Sequence, residues 1–395
     1  MTATWPAAQR VAAILESMRG FTQTIRHPVL SALADDASAC NFLAGNPQQP
    51  APARYVETLQ RWTVPADKNW YGYKRPDRTA QQAAAAGLSA ELGIDFEADD
   101  IVLTRGAHGA VAAALAAVVD YGDEVIFVSP PWFFYEAMIL GAGGTPVRVR
   151  MNEETFDLDL DALAHALSPR TRAVVINTPH NPTGRVYPPS TLQQLAQLLT
   201  SASERHAREI YLVSDEAYSR VLFSGTPFTS PGRFYPRTFL LHTYSKTTLA
   251  PGQRIGFLAM PPRMPAREQL RQAFMAVGFA LGGPPDAIMQ YALPDLDEGM
   301  LIDLADLETK RDRMVDALQA FGYQLHVPEA TFYLLPRCPI DDDLAFTLKL
   351  AQRGVLVLPG HALEMPGYFR VSLTATSDMI ERALPVFQDA MADAN

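Results

Sequence analysis

Lys246 stands in the stretch TYSKTTLAPGQRIG, with Thr243 and Ser245 just before it and Arg254 eight residues after it. An amine, two hydroxyls and a guanidinium in so short a run can condense with a carbonyl and bind an anion beside it. Four other stretches carry groups that suit the same task. In VLTRGAHGA, Gly106 and Gly109 precede an alanine-rich run, so the first free amides, around Ala107 and His108, can cradle an anion at a helix start. In SPPWFFYE, Trp132 offers a ring face for stacking on an aromatic ligand. In NTPHNPTG, Asn181 presents one amide within a rigid proline-bounded turn. In LVSDEAY, Asp215 ends an apolar run, where a carboxylate wants a cation or a strong donor, and Tyr218 follows three residues on. Taken singly, each has a plain structural account: a solvent-seeking lysine, a glycine turn, a core aromatic, an Asx turn, a helix cap.

The elements that must position these groups are short apolar runs separated by helical ones. DIVLTRG, EVIFVSP, TPVRVRM, RAVVINTP, EIYLVSDE, TFLLHTYS and RIGFLAM read as strands. HGAVAAALAAVVDYG, DALAHALSP and STLQQLAQLLTSASERHA have helical spacing. Continuous apolar strands alternating with helices predict an α/β fold with a mostly parallel, seven-stranded sheet flanked by helices. RIGFLAM, joined to TFLLHTYS without a helix, is the candidate antiparallel strand. In an open α/β sheet ligands bind outside the carboxyl ends of the strands, which gathers the chemical groups at one edge. Together they suit a flat, anionic, heteroaromatic carbonyl compound bearing a phosphate. Pyridoxal 5'-phosphate fits that description; a nicotinamide dinucleotide needs no lysine and calls for a glycine fingerprint with a later acid.

A large cofactor-binding domain is expected over residues 51–290. Residues 1–50 read as an N-terminal arm, Pro-rich after Gly45, and part of a smaller α+β domain. Residues 291–395 supply the rest of that domain, with a helix in LIDLADLETKRDRMVDALQAFG and strands in YQLHVP, TFYLLP and FRVSLT. The 33 Lys+Arg against 43 Asp+Glu, without a basic block, argue against a nucleic-acid partner. Cys40 and Cys338 match no metal-ligand spacing and read as reduced thiols, so no metal is expected. The short VAAIL near the start belongs to an amphipathic helix, too broken for a signal peptide and too short to span a membrane. A cytoplasmic protein with no membrane partner is the expectation.

The stretches above, in this order, resemble the signatures of the class I/II, fold-type I aminotransferases over nearly the whole chain. YSKTTLAPGQRIG is similar to the family's lysine segment, NTPHNPTG to its Asn-Pro-x-Gly turn, DEAY to its Asp-x-x-Tyr, and PPWFFY to its aromatic element. NFLAGNP resembles the N-terminal gate segment, and FRVSL the late arginine element. The resemblance implies a pyridoxal-phosphate-dependent amino-acid aminotransferase that works by a ping-pong exchange between an L-amino acid and a 2-oxo acid. It implies Lys246 as the Schiff-base lysine and proton carrier, and Asp215 as the partner of the ring nitrogen. Asn181 and Tyr218 would bind the ring hydroxyl and Trp132 would stack on the ring. Gly106, Ala107, His108, Thr243, Ser245 and Arg254 would bind the phosphate. Arg370 would clamp the substrate carboxylate, with Asn181 and the Gly45 backbone.

The sequence departs from the family pattern in three ways. Thr243 stands where serine is common. WYGYKRPDRTAQQAA resembles the tyrosine element with which a neighbouring subunit touches the phosphate, but Arg78 replaces the usual glycine. The resemblance therefore implies a homodimer, with Tyr73 favoured over Tyr71 as the residue completing the neighbour's site. PGHALEMPGYFR and PEATFY, with Ala330, differ in the loops that line the substrate pocket. Phe42, Trp70, Tyr135 and Phe332 are candidates for an aromatic-lined pocket, and Arg75 and Arg78 for recognising an acidic side chain from across a dimer. Other outcomes on the same cofactor, such as C–S β-elimination, share the scaffold. A regulator that senses an amino acid through the cofactor is a third reading; the residues before the gate segment show neither a basic patch nor a helix-turn-helix pattern.

Overall fold

The computed structural model describes residues 7–296 and 301–394. The first six residues of the expected arm, residues 297–300 of the expected second domain and the final residue lie outside the described residues.

Among the described residues the strands are β1 (Cys40–Asn41), β2 (Ile101–Thr104), β3 (Glu124–Ser129), β4 (Thr145–Arg150), β5 (Thr171–Asn177) and β6 (Tyr211–Asp215). They continue with β7 (Thr238–Thr243), β8 (Gly256–Ala259), β9 (Tyr333–Leu334), β10 (Val355–Leu356), β11 (Leu358–Pro359) and β12 (Phe369–Ser372). Seven of them form one sheet in the order β2-β8-β7-β6-β5-β3-β4. The pairs from β4 through β7 are parallel, and β8 runs antiparallel to both β7 and β2. Strand β2 therefore points the same way as β7. The expected seven-stranded, mostly parallel sheet is present, with RIGFLAM as its antiparallel member.

The unbroken apolar runs follow from burial on both faces. Every residue of β3, β6 and β7 is buried. Alternate residues of β3 feed two separate cores. Val125 and Phe127 pack with Ala110 and Ala114 of the helix Gly106–Val118. Ile126 and Val128 pack with Leu192, Leu195 and Leu199 of the helix Pro189–Arg205.

A further core joins Phe42 to residues of the helices Leu304–Phe321 and Ser377–Ala392, and to Phe332, Leu334, Phe369 and Val371. Around it lie the antiparallel sheet β11-β12-β9 and the parallel pair β1-β10. YQLHVP is not a strand, contrary to expectation. The helix Leu304–Phe321 ends at Gly322 in the left-handed conformation. Tyr323 then turns inward, its hydroxyl donating to the Phe387 carbonyl at 2.8 Å, and Pro328 lacks the N–H a ladder needs. The helix Arg78–Leu92 adds to the expected elements, starting where the Asp77 carboxylate accepts the Ala80 N–H at 2.9 Å. The N-terminal helix, Gln9–Ser17, lies where VAAIL placed it.

Gly256, the first residue of β8, allows the close approach on which the site depends. A Cβ there would fall 2.4 Å from the His242 carbonyl oxygen and 2.9 Å from the Gly106 Cα. Gly256→Ala must therefore push apart backbone on both sides. It is expected to lower stability by about 1–3 kcal/mol, read as a lower denaturant midpoint with an unchanged slope. A midpoint equal to the parent's would contradict so tight a contact.

Candidate active site

Strands β2, β3, β5, β6 and β7 end at one edge of the sheet, and β8 begins there. Directly after β2, Gly106 takes a left-handed φ of 71° and opens the helix Gly106–Val118. A Cβ on Gly106 would lie 3.0 Å from Arg254 Nη2 and 3.3 Å from Thr243 Oγ1, so these three groups meet. Thr243 Oγ1 donates to Ser245 Oγ at 3.1 Å and accepts the Ser245 N–H at 3.3 Å. The Arg254 guanidinium donates to the carbonyls of Pro251 at 2.7 Å and Arg105 at 3.4 Å. Among the described residues no carboxylate pairs with it, and partial burial pulls its pKa down from the ordinary value. A glycine-opened helix start, two hydroxyls and a cation without a counterion make an anion cradle. His108 faces it, and burial, and then Arg254, lower its pKa. Its ring stands edge-on to Trp132 at 5.3 Å.

The floor is built from the ends of β5 and β6. Asp215, 6% exposed, accepts the Tyr135 hydroxyl at 2.6 Å and the Ala217 N–H at 3.2 Å. Asn177 Nδ2 donates to the Asp215 carbonyl at 2.8 Å, and Asn177 Oδ1 accepts the Asn181 N–H at 2.7 Å, which ties the Asn181 turn to the Asp215 strand. Burial pushes the Asp215 carboxyl above the usual range, and the Tyr135 and Ala217 donors pull it back. Lys246 Nζ lies 5.6 Å from the Tyr218 ring centre and 5.7 Å from that of Phe332. Burial raises the Tyr218 phenol well above its ordinary value, and the neighbouring Tyr333 adds to that. Glu216 belongs to the scaffold. Its carboxyl accepts Ser230 Oγ at 2.7 Å and Ser214 Oγ at 2.8 Å, and burial pushes it up to about 8.

Arg370, on β12, closes the site from the other side. It is 4% exposed; Nη1 donates to Asn181 Oδ1 at 3.2 Å and Nη2 to the Leu43 carbonyl at 3.0 Å. Its guanidinium carbon lies 4.0 Å from the Tyr333 ring centre, and its buried Nε has no partner. Gly45 is pressed against this pair of elements, since a Cβ there would fall 2.4 Å from Tyr333 Oη. A cavity of about 610 Å³ is lined by Gly45, Ala107, His108, Trp132, Asn181, Asp215, Tyr218, Thr243, Ser245, Lys246, Arg254 and Arg370. Of the expected site residues, Gly106 meets the cavity through Arg254, and Tyr73 stays apart, fully exposed on this chain.

Several expectations change. Tyr135 does not line the substrate pocket; it is 2% exposed and sits behind Asp215 as its hydrogen-bond donor. Phe42 is buried in the smaller core, and Trp70 stacks on Tyr291 at 4.3 Å. Phe332 is fully buried, edge-on to Tyr218. Arg75 and Arg78, expected to act from across a dimer, lie outside this chain's own cavity: Arg78 pairs with Asp99 and Arg75 lines a surface groove with Phe279. Asn177, Tyr333, Phe21 and Phe133 enter the site without having been expected there. Asn177 was legible as the first residue of NTPHNPTG and Tyr333 as the neighbour of Phe332, whereas nothing near Phe21 signals a ligand.

The residues fit pyridoxal phosphate: a buried carboxylate for a ring N–H, a cradle for a phosphate, an amine between them. Comparison with known proteins agrees. The family described as aminotransferase class I and II matches residues 38–387. An aspartate/prephenate aminotransferase of Thermus thermophilus is 31% identical, over 89% of this chain and 90% of its own. A probable N-succinyldiaminopimelate aminotransferase of Mycobacterium tuberculosis is 28% identical, over 88% and 87%. Among solved structures, an amino transferase from Eubacterium rectale superimposes with a TM-score of 0.86 at 27% identity, covering 99% of this chain and 97% of that one. Aspartate aminotransferase from Thermus thermophilus with maleate gives 0.84 at 28% identity, covering 98% and 100%. The chain belongs to the class I and II aminotransferases: it is a pyridoxal-phosphate-dependent enzyme acting on amino acids and 2-oxo acids. No helix of the described residues is long and apolar enough to cross a membrane.

Tyr135 donates the hydrogen bond that lowers the Asp215 pKa, so its removal must raise that pKa. In Tyr135→Phe, the Asp215 carboxyl of the apoprotein, followed by ¹³C NMR, is expected to titrate at higher pH than in the parent. An unchanged midpoint would show that the contact does not tune the carboxylate.

Proposed function

We propose that Lys246 is the reactive amine of this aminotransferase and Arg370 its carboxylate clamp, within one cavity that also holds Asp215, Tyr218, Asn181 and Arg254. The observation that carries this reading is Arg370: a buried guanidinium with an unpartnered Nε and no carboxylate paired to it among the described residues. A buried cation without its anion is costly, by several kcal/mol. A substrate α-carboxylate supplies the missing partner in the bidentate form arginine favours.

Pyridoxal phosphate, when bound, supplies a carbonyl that condenses with amines and a ring that withdraws electrons from the bond being broken. Every other role falls to the chain. Arg254, Thr243, Ser245 and the amides after Gly106 would hold the phosphate. The Asp215 carboxylate would accept the ring N–H and keep the proton there. Asn181 and Tyr218 would donate to the ring hydroxyl, and Trp132 would cover the ring. Lys246 would hold the carbonyl group of the cofactor and, as a free amine, would carry the proton of the substrate α-carbon. Arg370, held in place by Asn181 and the Leu43 carbonyl, fixes the substrate so that this proton points at Lys246.

The same reading covers the assembly. Residues 51–290 form the larger domain, and residues 1–50 with 291–395 the smaller, so Arg370 and Gly45 approach the cofactor from the smaller one. The enzyme works as a cytoplasmic homodimer in which Tyr73 completes the neighbour's phosphate site. The full exposure of Tyr73 in a single chain, with Met275 and Phe279 each more than 60% exposed, supports that arrangement.

The test is a half-reaction. Protein loaded with pyridoxal phosphate and given one amino donor, without acceptor, is expected to form pyridoxamine phosphate and one equivalent of 2-oxo acid. Arg370→Ala is expected to lower kcat/KM for the donor about 100-fold or more, or ~2.7 kcal/mol. Ammonia and pyruvate released from cysteine-type substrates, with no pyridoxamine phosphate, would replace transamination by elimination.

A further inference from the structure

Beyond the carboxylate clamp, the cavity continues toward the N-terminal helices. Phe21 and Ile25, from the helix Arg19–Ile25, line it together with Leu43, Phe133 and Leu358. Phe21 stacks on Phe133 at 3.8 Å with 12° between the ring planes, and Phe133 meets Phe134 at 4.6 Å. Leu43 and Phe133 both pack on the small core formed by Leu358, Ala362 and Leu363. Ile25 remains 45% exposed although it faces this lining. The helix is fastened rather than loosely laid. Thr24 Oγ1 is 3.0 Å from His361 Nε2, and His361 Nδ1 is 2.5 Å from Asp343 Oδ1, in the loop that leads to Arg370. The aromatic wall is thus fixed relative to the clamp.

The charges on the lining point the same way. Its fixed cations among the described residues are Lys246, Arg254 and Arg370, and each already has a role in the reading above. Burial and then Arg254 lower the pKa of His108, which disfavours its charged form. Asp35, exposed in the turn after the helix Pro28–Leu33, adds a carboxylate to the lining on the N-terminal side. A second substrate carboxylate seated there would lose water against apolar walls, find no cation of this chain, and face an anion.

Resting on the aminotransferase reading, we propose that the amino donor carries a large apolar or aromatic side chain, held against Phe21, Ile25, Leu43, Phe133 and Leu358, with Asp35 turning acidic donors away. Relatives named for aspartate make this a point of difference within the family. A flat side chain extends the Phe21–Phe133 stack, and an aliphatic one fills the space beside Ile25.

The experiment uses the full-length protein loaded with pyridoxal phosphate and has two arms. In the first, single donors are compared in the half-reaction: L-phenylalanine, L-leucine, L-alanine, L-aspartate and L-glutamate. L-phenylalanine or L-leucine is expected to exceed L-aspartate at least about tenfold in kcat/KM. Phe21→Ala and Phe133→Ala are each expected to lower the phenylalanine-to-alanine ratio through KM more than through kcat. In the second arm, 3-phenylpropionate and succinate, which have no amino group to react, compete for the site. 3-Phenylpropionate is expected to bind at least about tenfold more tightly. Preference for aspartate or glutamate, or tighter binding of succinate, overturns the proposal and means that a neighbouring subunit delivers a cation. If no donor is converted, the aminotransferase reading fails alone, and the analogue pair still decides the character of the pocket.

Discussion

The structure turns on charge that the chain leaves without a partner of its own. Asp215 is buried at the end of a strand with hydrogen-bond donors around it, and burial drives its carboxyl upward despite them. Arg370 is buried, and its partners among the described residues are an amide oxygen, a carbonyl and a tyrosine ring. Arg254 faces a helix start and two hydroxyls and, among the described residues, donates to main-chain carbonyls. Isolated, such groups weigh against folding by several kcal/mol each. Collected in one cavity with Lys246, they describe the complement of a molecule bearing a phosphate, a ring nitrogen and a carboxylate.

The fold offsets that cost and holds the groups still. Strands covered on both faces supply large apolar cores, and their parallel run places five strand ends at one edge. Asn177 stitches two of those ends together, bonding the Asp215 carbonyl and the Asn181 N–H. Gly256 lets the strand that starts at this edge lie against Gly106, which brings Arg254 to the helix start. From the opposite side, Gly45 presses on Tyr333, and Arg370 reaches across to Asn181. Asn181 thereby ties Arg370 to the ends of the sheet strands.

What the sequence made legible follows the same division. Groups on strand ends could be found because an apolar run that stops at Asp215, or at Thr243 before Lys246, marks both the element and its functional tip. The antiparallel turn of RIGFLAM was legible because no helix precedes it. Contacts between distant segments were not. Tyr135 reads as a pocket aromatic until Asp215 is seen beside it, 80 residues on. Phe21 carries no local sign of a ligand, since its place depends on Thr24 meeting His361 across 337 residues. YQLHVP alternates as a strand should, yet its tyrosine is claimed by the core around Phe346, Phe369 and Phe387. Tertiary packing outweighed local pattern there.

Lys246 is the amine proposed to be joined to the cofactor. The other lysines, Lys68, Lys74, Lys310 and Lys349, lie outside the cavity, and Lys310 is paired with Asp306 at 2.6 Å. Reduction of the pyridoxal-phosphate-loaded protein with borohydride, followed by peptide mass mapping, tests this directly. The phosphopyridoxyl group is expected on the peptide that contains Lys246 and is expected to be absent from that position in Lys246→Ala. The group on any other lysine, or no stable adduct on the loaded parent protein, would contradict it.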